Sequence, residues 1–124
     1  CQFNRAVYDV GSSGIKFQVA QVDVCQKSLK VLFPGPTSDS KTARKDVPFK
    51  KSITADNKIP QATFDLGMTA FKELKATAEG LMHPDTQQPL VIRDHVGIAT
   101  EAFRIDRAGS ENFFKQLKDE TGIQ

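Results

Sequence analysis

The 124 residues predict a mixed α/β domain: a three-strand antiparallel meander, then a helix, a returning strand and a second helix. Three observations carry this reading. Ile15, Phe17 and Val19 alternate with Lys16 and Gln18, which is the period of a half-buried strand. The connections between the first three apolar runs are too short for a crossover. Phe64, Met68, Phe71, Leu74 and Ala78 recur at spacings of three and four, the stripe of an amphipathic helix.

Taken in order, Ala6 to Val10 forms the first strand and ends in the turn Gly11-Ser12-Ser13-Gly14. Ile15 to Val19 is the second. Leu29 to Phe33 is the third, stopped by Pro34-Gly35-Pro36. Residues 34–60 read as loop, with a basic stretch holding Lys41, Arg44, Lys45, Lys50 and Lys51, and with a short strand expected within Val47 to Ile53. That basic stretch suits a polyanion or a solvated edge guarded by lysines. Pro60 fits the first turn of the long helix, and Gly80 is expected as its left-handed cap. Asp94 to Thr100 is a buried strand. The last helix starts near Gly109 or Ser110, buries Phe113, Phe114 and Leu117, and ends at Gly122. This order describes a ribonuclease-H-like subdomain of the actin type.

Composition narrows the function classes. Apolar residues make up 39% and charged residues 26%, enough for a packed core in a single domain. A net charge of +2 does not call for nucleic acid. No apolar run reaches the roughly 18–20 residues that span a bilayer. His83 and His95 have no cysteine or carboxylate at ligand spacing.

Two motifs carry chemistry. Asp9-Val10-Gly11-Ser12-Ser13-Gly14 lies at a strand–turn–strand corner, where glycine lets backbone N–H groups face an anion and serines add donors; the same residues also make an ordinary hairpin turn. Asp9 can hold a divalent cation beside those phosphates. Ala99-Thr100-Glu101-Ala102-Phe103-Arg104 opens from a strand end, where α/β sheets place ligands. Arg104 offers a planar fork to phosphate oxygens, or pairs with Asp106 or Glu101 at the surface.

With the helix Phe113 to Ile123, these blocks resemble the exopolyphosphatase/guanosine pentaphosphate phosphohydrolase (Ppx/GppA) family of the actin-like ATPase superfamily. The family patterns are D-[IL]-G-S-N, A-T-x-A-x-R and a helix ending E-E-T-G-I. The resemblance spans nearly the whole chain and implies a magnesium-dependent phosphatase that releases terminal phosphate from polyphosphate or guanosine pentaphosphate. It further implies phosphate binding by Gly11, Ser12, Ser13 and Arg104, a metal near Asp9, a cytoplasmic setting and a homodimeric full-length protein. A catalytic glutamate motif and a second phosphate loop are expected beyond Gln124, which makes the chain an N-terminal, inactive portion with no catalytic residue of its own. Two departures stand out: Ser13 followed by Gly14 loosens the first loop, and Glu101 sets a carboxylate beside bound phosphate. The same first motif fits a kinase of the superfamily, and the departures fit a non-catalytic sensor of a phosphorylated ligand.

The two cysteines supply an independent expectation. With the turn centred on Ser12-Ser13, paired positions sum to about 25 or 26, which brings Cys1 opposite Val24 or Cys25. A Cys1–Cys25 disulfide would signal an oxidising compartment and export, the alternative to the cytoplasm.

Overall fold

The computed structural model describes residues 1–36, 38 and 40–124; Thr37 and Asp39, within the expected loop, lie outside the described residues. The meander forms as anticipated, with longer strands: β1 (Gln2–Val10), β2 (Gly14–Asp23) and β3 (Ser28–Phe33). A 3-10 turn, Ser40–Ala43, leads into a short strand β4 (Arg44–Asp46). Helix α1 (Gln61–Glu79) follows, then β5 (Ile92–Ala99), a single turn α2 (Ala102–Ile105), and α3 (Arg107–Thr121). The sheet order is β3-β2-β1-β5, and β4 pairs with the start of β2. β5 runs parallel to β1 and the other pairs are antiparallel.

The alternation of β1 and β2 sends Ala6, Tyr8, Val10, Ile15, Phe17 and Val19 to one face, all buried. Phe71, Leu74 and Ala78 of α1 and Phe113 and Leu117 of α3 join the same core. Each fully buried Phe or Leu contributes about 1.5–3 kcal/mol. α1 is the crossover that a parallel return strand requires. Its predicted stripe holds, with Met68 half-buried at the margin.

Several local expectations need correction. β5, expected as a buried strand, is only half-buried along most of its length because it ends the sheet order, and Pro60 stands at the extended N-cap before α1 rather than in its first turn. The short strand lies at Arg44–Asp46 rather than within Val47 to Ile53. Its residues are all exposed charges, so no hydrophobic period marks it, while Val47 and Phe49 are buried as loop residues. Gly80 ends α1 with φ −90°, not in the left-handed region, because its N–H continues the helical pattern to Ala76 O. α3 begins at Arg107 and is capped by Asp106, whose carboxylate accepts from the Gly109 N–H at 3.0 Å. Gly122, with φ +78°, closes α3 as expected and donates to Lys118 O.

The cysteine arithmetic also holds. Gln2 pairs with Asp23, a sum of 25, and the Val24 N–H donates to Cys1 O at 3.0 Å. Cys1 and Cys25 form a disulfide with Cα atoms 5.6 Å apart. Asp23 holds the adjoining turn by accepting from the Cys25 and Gln26 N–H groups.

Side chains also stitch β1 to β5. On the outer face, Arg5 clasps Asp94 with two bonds of 2.6 and 3.1 Å, which holds the Asp94 carboxyl below its usual range. On the core side, the Tyr8 hydroxyl lies 2.8 Å from His95 Nδ1. Burial pushes the Tyr8 phenol well up, with Glu79 adding to it, so the phenol keeps its proton. Burial also lowers His95, helped by Lys75 and opposed by Glu79 and Asp94.

A depressed histidine destabilises the fold in acid. Above the unfolded value of about 6.5, His95 is neutral in both states and its contribution is intact. As pH falls below that value the unfolded chain binds a proton that the folded chain resists, so stability declines toward the lower folded pKa. His95→Gln keeps an acceptor for Tyr8 but removes this titration. Urea melts at pH 7.5 and 5.5 are expected to show a larger loss between the two pH values for the wild type than for the variant. Equal losses would assign the acid sensitivity to other groups.

Candidate functional site

Because β1 and β5 are parallel neighbours, their C-terminal ends open on the same edge of the sheet. Val10 stands opposite Ala99. The next residue, Thr100, donates to Val10 O from both its N–H and its Oγ1, at 3.3 Å each. The turn after Val10 and the segment Thr100 to Arg104 are thus side by side, although about 90 residues separate them. Sheet edges of this kind, where strand ends leave a crevice, are where α/β proteins bind ligands.

The turn is tightly held. The Gly11 N–H donates to Gly14 O at 2.9 Å, the Val47 N–H to Ser13 O at 3.0 Å, and the Lys50 N–H to Ser12 O at 3.0 Å. The carbonyls of both serines are therefore engaged by the segment after β4. Among the described residues, no protein group accepts from the amides of Ser12 or Ser13. Gly14 does not loosen the turn: a Cβ there would lie 2.4 Å from Lys45 O, so its missing side chain is what lets β4 pair with β2.

Asp9 is exposed on the outer face, across from Lys16 on β2 and Ile98 on β5. It lines a cleft of about 220 Å³ with Gly11, Ser13, Lys16, Arg44 and Asp46. The basic stretch thus forms an edge strand and also supplies cations to this cleft. Lys45 pairs with Glu73 of α1 at 3.0 Å. Ser12 is half-buried and does not line the cleft.

Arg104 is exposed and lines a neighbouring cleft of about 480 Å³ at the start of α3. Neither of its expected surface partners takes it. Asp106 accepts from the Gly109 and Ile59 N–H groups, and Glu101 pairs with Lys50 Nζ at 3.6 Å. Among the described residues, Arg104 has no ion-pair partner. Sequence reading placed Lys50 only within a basic stretch; in the structure its backbone holds Ser12 and its side chain offsets Glu101. It reaches the site from a loop, where no periodicity or spacing could mark it.

Asp9 and Asp46 are the carboxylates lining the first cleft. No group of three or more His, Cys, Asp or Glu side chains suited to a metal occurs among the described residues. His95 is taken up by Tyr8 in the core, and His83 lies in the connection between α1 and β5, where its Nδ1 accepts from the Asp85 N–H.

Neither a protein-family model nor a curated protein sequence matches the chain. Solved structures do match its fold. The Aquifex aeolicus member of the Ppx/GppA protein family superposes with a TM-score of 0.65 at 17% identity, covering 100% of this chain and 35% of that one. A second structure of the Aquifex aeolicus PPX-GPPA enzyme gives 0.68 at 16% identity, covering 99% and 35%. An exopolyphosphatase from Cytophaga hutchinsonii gives 0.64 at 17% identity, covering 98% and 32%. The chain therefore has the fold found in about a third of the length of Ppx/GppA structures, which agrees with the actin-type α/β subdomain expected from its sequence.

Gly14→Ala tests how the turn is held. The added methyl has only backbone to meet, and the variant is expected to lose about 1–3 kcal/mol of stability and to release β4. Urea denaturation measures the first effect and amide exchange at Ile15 and Lys45, which face each other across β2 and β4, the second; unchanged exchange would show that β4 does not depend on Gly14.

Proposed function

We propose that this chain is the first phosphate-binding unit of a Ppx/GppA-type hydrolase, which releases terminal phosphate from polyphosphate or from guanosine pentaphosphate. The carrying observation is the convergence of the Gly11–Ser13 turn and the Thr100–Arg104 segment at the ends of two adjacent parallel strands. In this reading the free amides of Ser12 and Ser13 and the unpaired Arg104 guanidinium receive phosphate oxygens. Gly11 permits the close approach, and Ser13 adds a hydroxyl.

A magnesium ion is commonly held by one or two carboxylates, with water and substrate phosphate completing the shell. Asp9, exposed at the rim of the cleft, suits that role, and no all-protein cage is required. Bound there, the ion would neutralise phosphate charge. The chain's own residues orient the phosphates and stabilise negative charge, which is most of what phosphoryl transfer asks of a protein. The carboxylate that activates water is assigned to residues outside these 124. The Lys50–Glu101 pair makes Glu101 compatible with a bound anion.

Two assays check this. Titration with inorganic tripolyphosphate in magnesium is expected to show binding without phosphate release. Arg104→Ala should weaken that binding roughly 10-fold or more, since one charge-assisted hydrogen bond is worth about 1.5–3 kcal/mol. Lys30→Ala, whose side chain on β3 pairs with Asp85 at 3.3 Å and lines neither cleft, should change it little. Equal effects would remove Arg104 from the site, and phosphate release by the chain alone would place the activating group within it.

The Cys1–Cys25 disulfide favours an oxidising compartment over the cytoplasm of the family resemblance. Titration of free thiols in unfolded, unreduced protein from its native source is expected to find none. Two reactive thiols would return the protein to a reducing compartment.

A further inference from the structure

Lys50 is a second cation at the strand-end crevice, and packing sets its place there. Phe49, fully buried, lies 4.8 Å from Phe103 between ring centres. A Cβ on Gly67 of α1 would stand 3.0 Å from the Phe49 ring, so the missing side chain gives that ring its seat. Each ring is followed in sequence by a cation, Lys50 after Phe49 and Arg104 after Phe103. The aromatic contact thus brings the segment after β4 against α2, beyond the ends of β1 and β5.

Lys50 holds two partners by different groups. Its N–H donates to Ser12 O at 3.0 Å, a bond that any residue but proline can make. Its ammonium lies 3.6 Å from Glu101 Oε1, on a flexible four-carbon stem. Glu101 is fixed at its backbone, where its carbonyl accepts from the Arg104 N–H at 3.0 Å. Its side chain is 70% exposed and free to turn to water. The pair therefore spans the two segments of the site, with one end on the residue that braces the turn and the other three residues before Arg104. A pair this exposed contributes little to stability, so little opposes its opening.

We propose that Glu101 is a built-in competitor for Lys50, a specificity-determining residue that sets how tightly the site holds an anion. This rests on the phosphate-binding reading given above. Without ligand, the carboxylate takes the ammonium and stands in for a phosphate oxygen. A phosphate group entering beside Ser12 offers Lys50 a more highly charged partner, and the ammonium passes to it. Glu101 then turns toward solvent, still close enough to repel the ligand. The exchange weakens binding twice, once through the pair that opens and once through the repulsion that remains. The second part rises with ligand charge, so Glu101 acts on tripolyphosphate more than on orthophosphate. It moderates a site that Lys50 and Arg104 would otherwise make strongly cationic.

Tripolyphosphate and orthophosphate are titrated, at fixed magnesium and low salt, into the 124-residue chain and into Glu101→Gln, Lys50→Met and the double variant. Glu101→Gln should tighten tripolyphosphate binding about 3- to 10-fold and orthophosphate less. The gain should shrink at roughly 1 M salt, where the Debye length is only about 3 Å. Lys50→Met, which keeps the backbone bond to Ser12, should weaken tripolyphosphate binding, and Lys50→Arg should restore it. In the Lys50→Met background the gain from Glu101→Gln should be about 2- to 5-fold smaller, since no pair is left to open. Both side chains lie at the surface, so urea midpoints should stay at the wild-type value, which separates an effect on binding from one on folding. Equal gains from Glu101→Gln in both backgrounds, or no gain in the otherwise unaltered chain, overturn the exchange and leave the phosphate site standing. Failure of the wild-type chain to bind tripolyphosphate overturns the phosphate reading and this inference with it.

Discussion

The parallel pairing of β1 with β5 is the constraint on which the rest depends. Parallel neighbours cannot be joined by a tight turn, so the chain between them must cross over one face, and α1 supplies that cover. The face it covers is the one to which β1 and β2 send Tyr8 and Phe17. The same pairing puts two strand ends on one edge, which brings Gly11 to Thr100. A one-residue slip would exchange Tyr8 for Val7 in the core. The register is held from both faces, by Arg5 on Asp94 outside and by Tyr8 on His95 inside.

Legibility in the sequence follows burial. Where one face is buried and the other wet, as in Ile15 to Val19 or along α1, periodicity marks both the element and its orientation. The centre of the first hairpin was enough to place Cys1 beside Val24, because antiparallel register propagates without drift over nine pairs. β4 had no such signal. Its three residues are exposed charges, and its position follows from the space left by Gly14. Gly80 was misjudged because glycine permits a left-handed cap without requiring one. Asp106 was read as a partner for Arg104, yet it is bound to two backbone N–H groups, one of which ties Ile59 of the long loop to α3.

The charged groups of the site serve position more than stability. Lys50 and Glu101 are both exposed, and pairs of that kind contribute about 0–1 kcal/mol. Their effect is local: a carboxylate that would repel an anion is offset by a cation whose own backbone braces the turn. Among the described residues Arg104 has no such ion-pair partner, which in the proposed function leaves its donors to a phosphate. That division between an occupied and an unoccupied cation is not readable from the order of residues, since Glu101 and Asp106 are both nearer to Arg104 in sequence than Lys50 is to Glu101.

In the function proposed here, what suits the turn to an anion is an asymmetry in backbone bonding. Every buried or half-buried peptide group needs partners for its N–H and its C=O. In Ser12 and Ser13 the carbonyls are satisfied by Lys50 and Val47, while the amides are not satisfied by any described residue. Had β4 and its following segment docked on the amide side, the turn would present carbonyl oxygens and repel phosphate. The side chosen is set by Gly14, which admits the Lys45 backbone to close range, and by burial of Val47 and Phe49, which draws the segment across the carbonyls. The polarity of the turn is thus a consequence of core packing beyond the motif itself, and only in that setting is the serine-rich turn suited to the phosphate binding we propose.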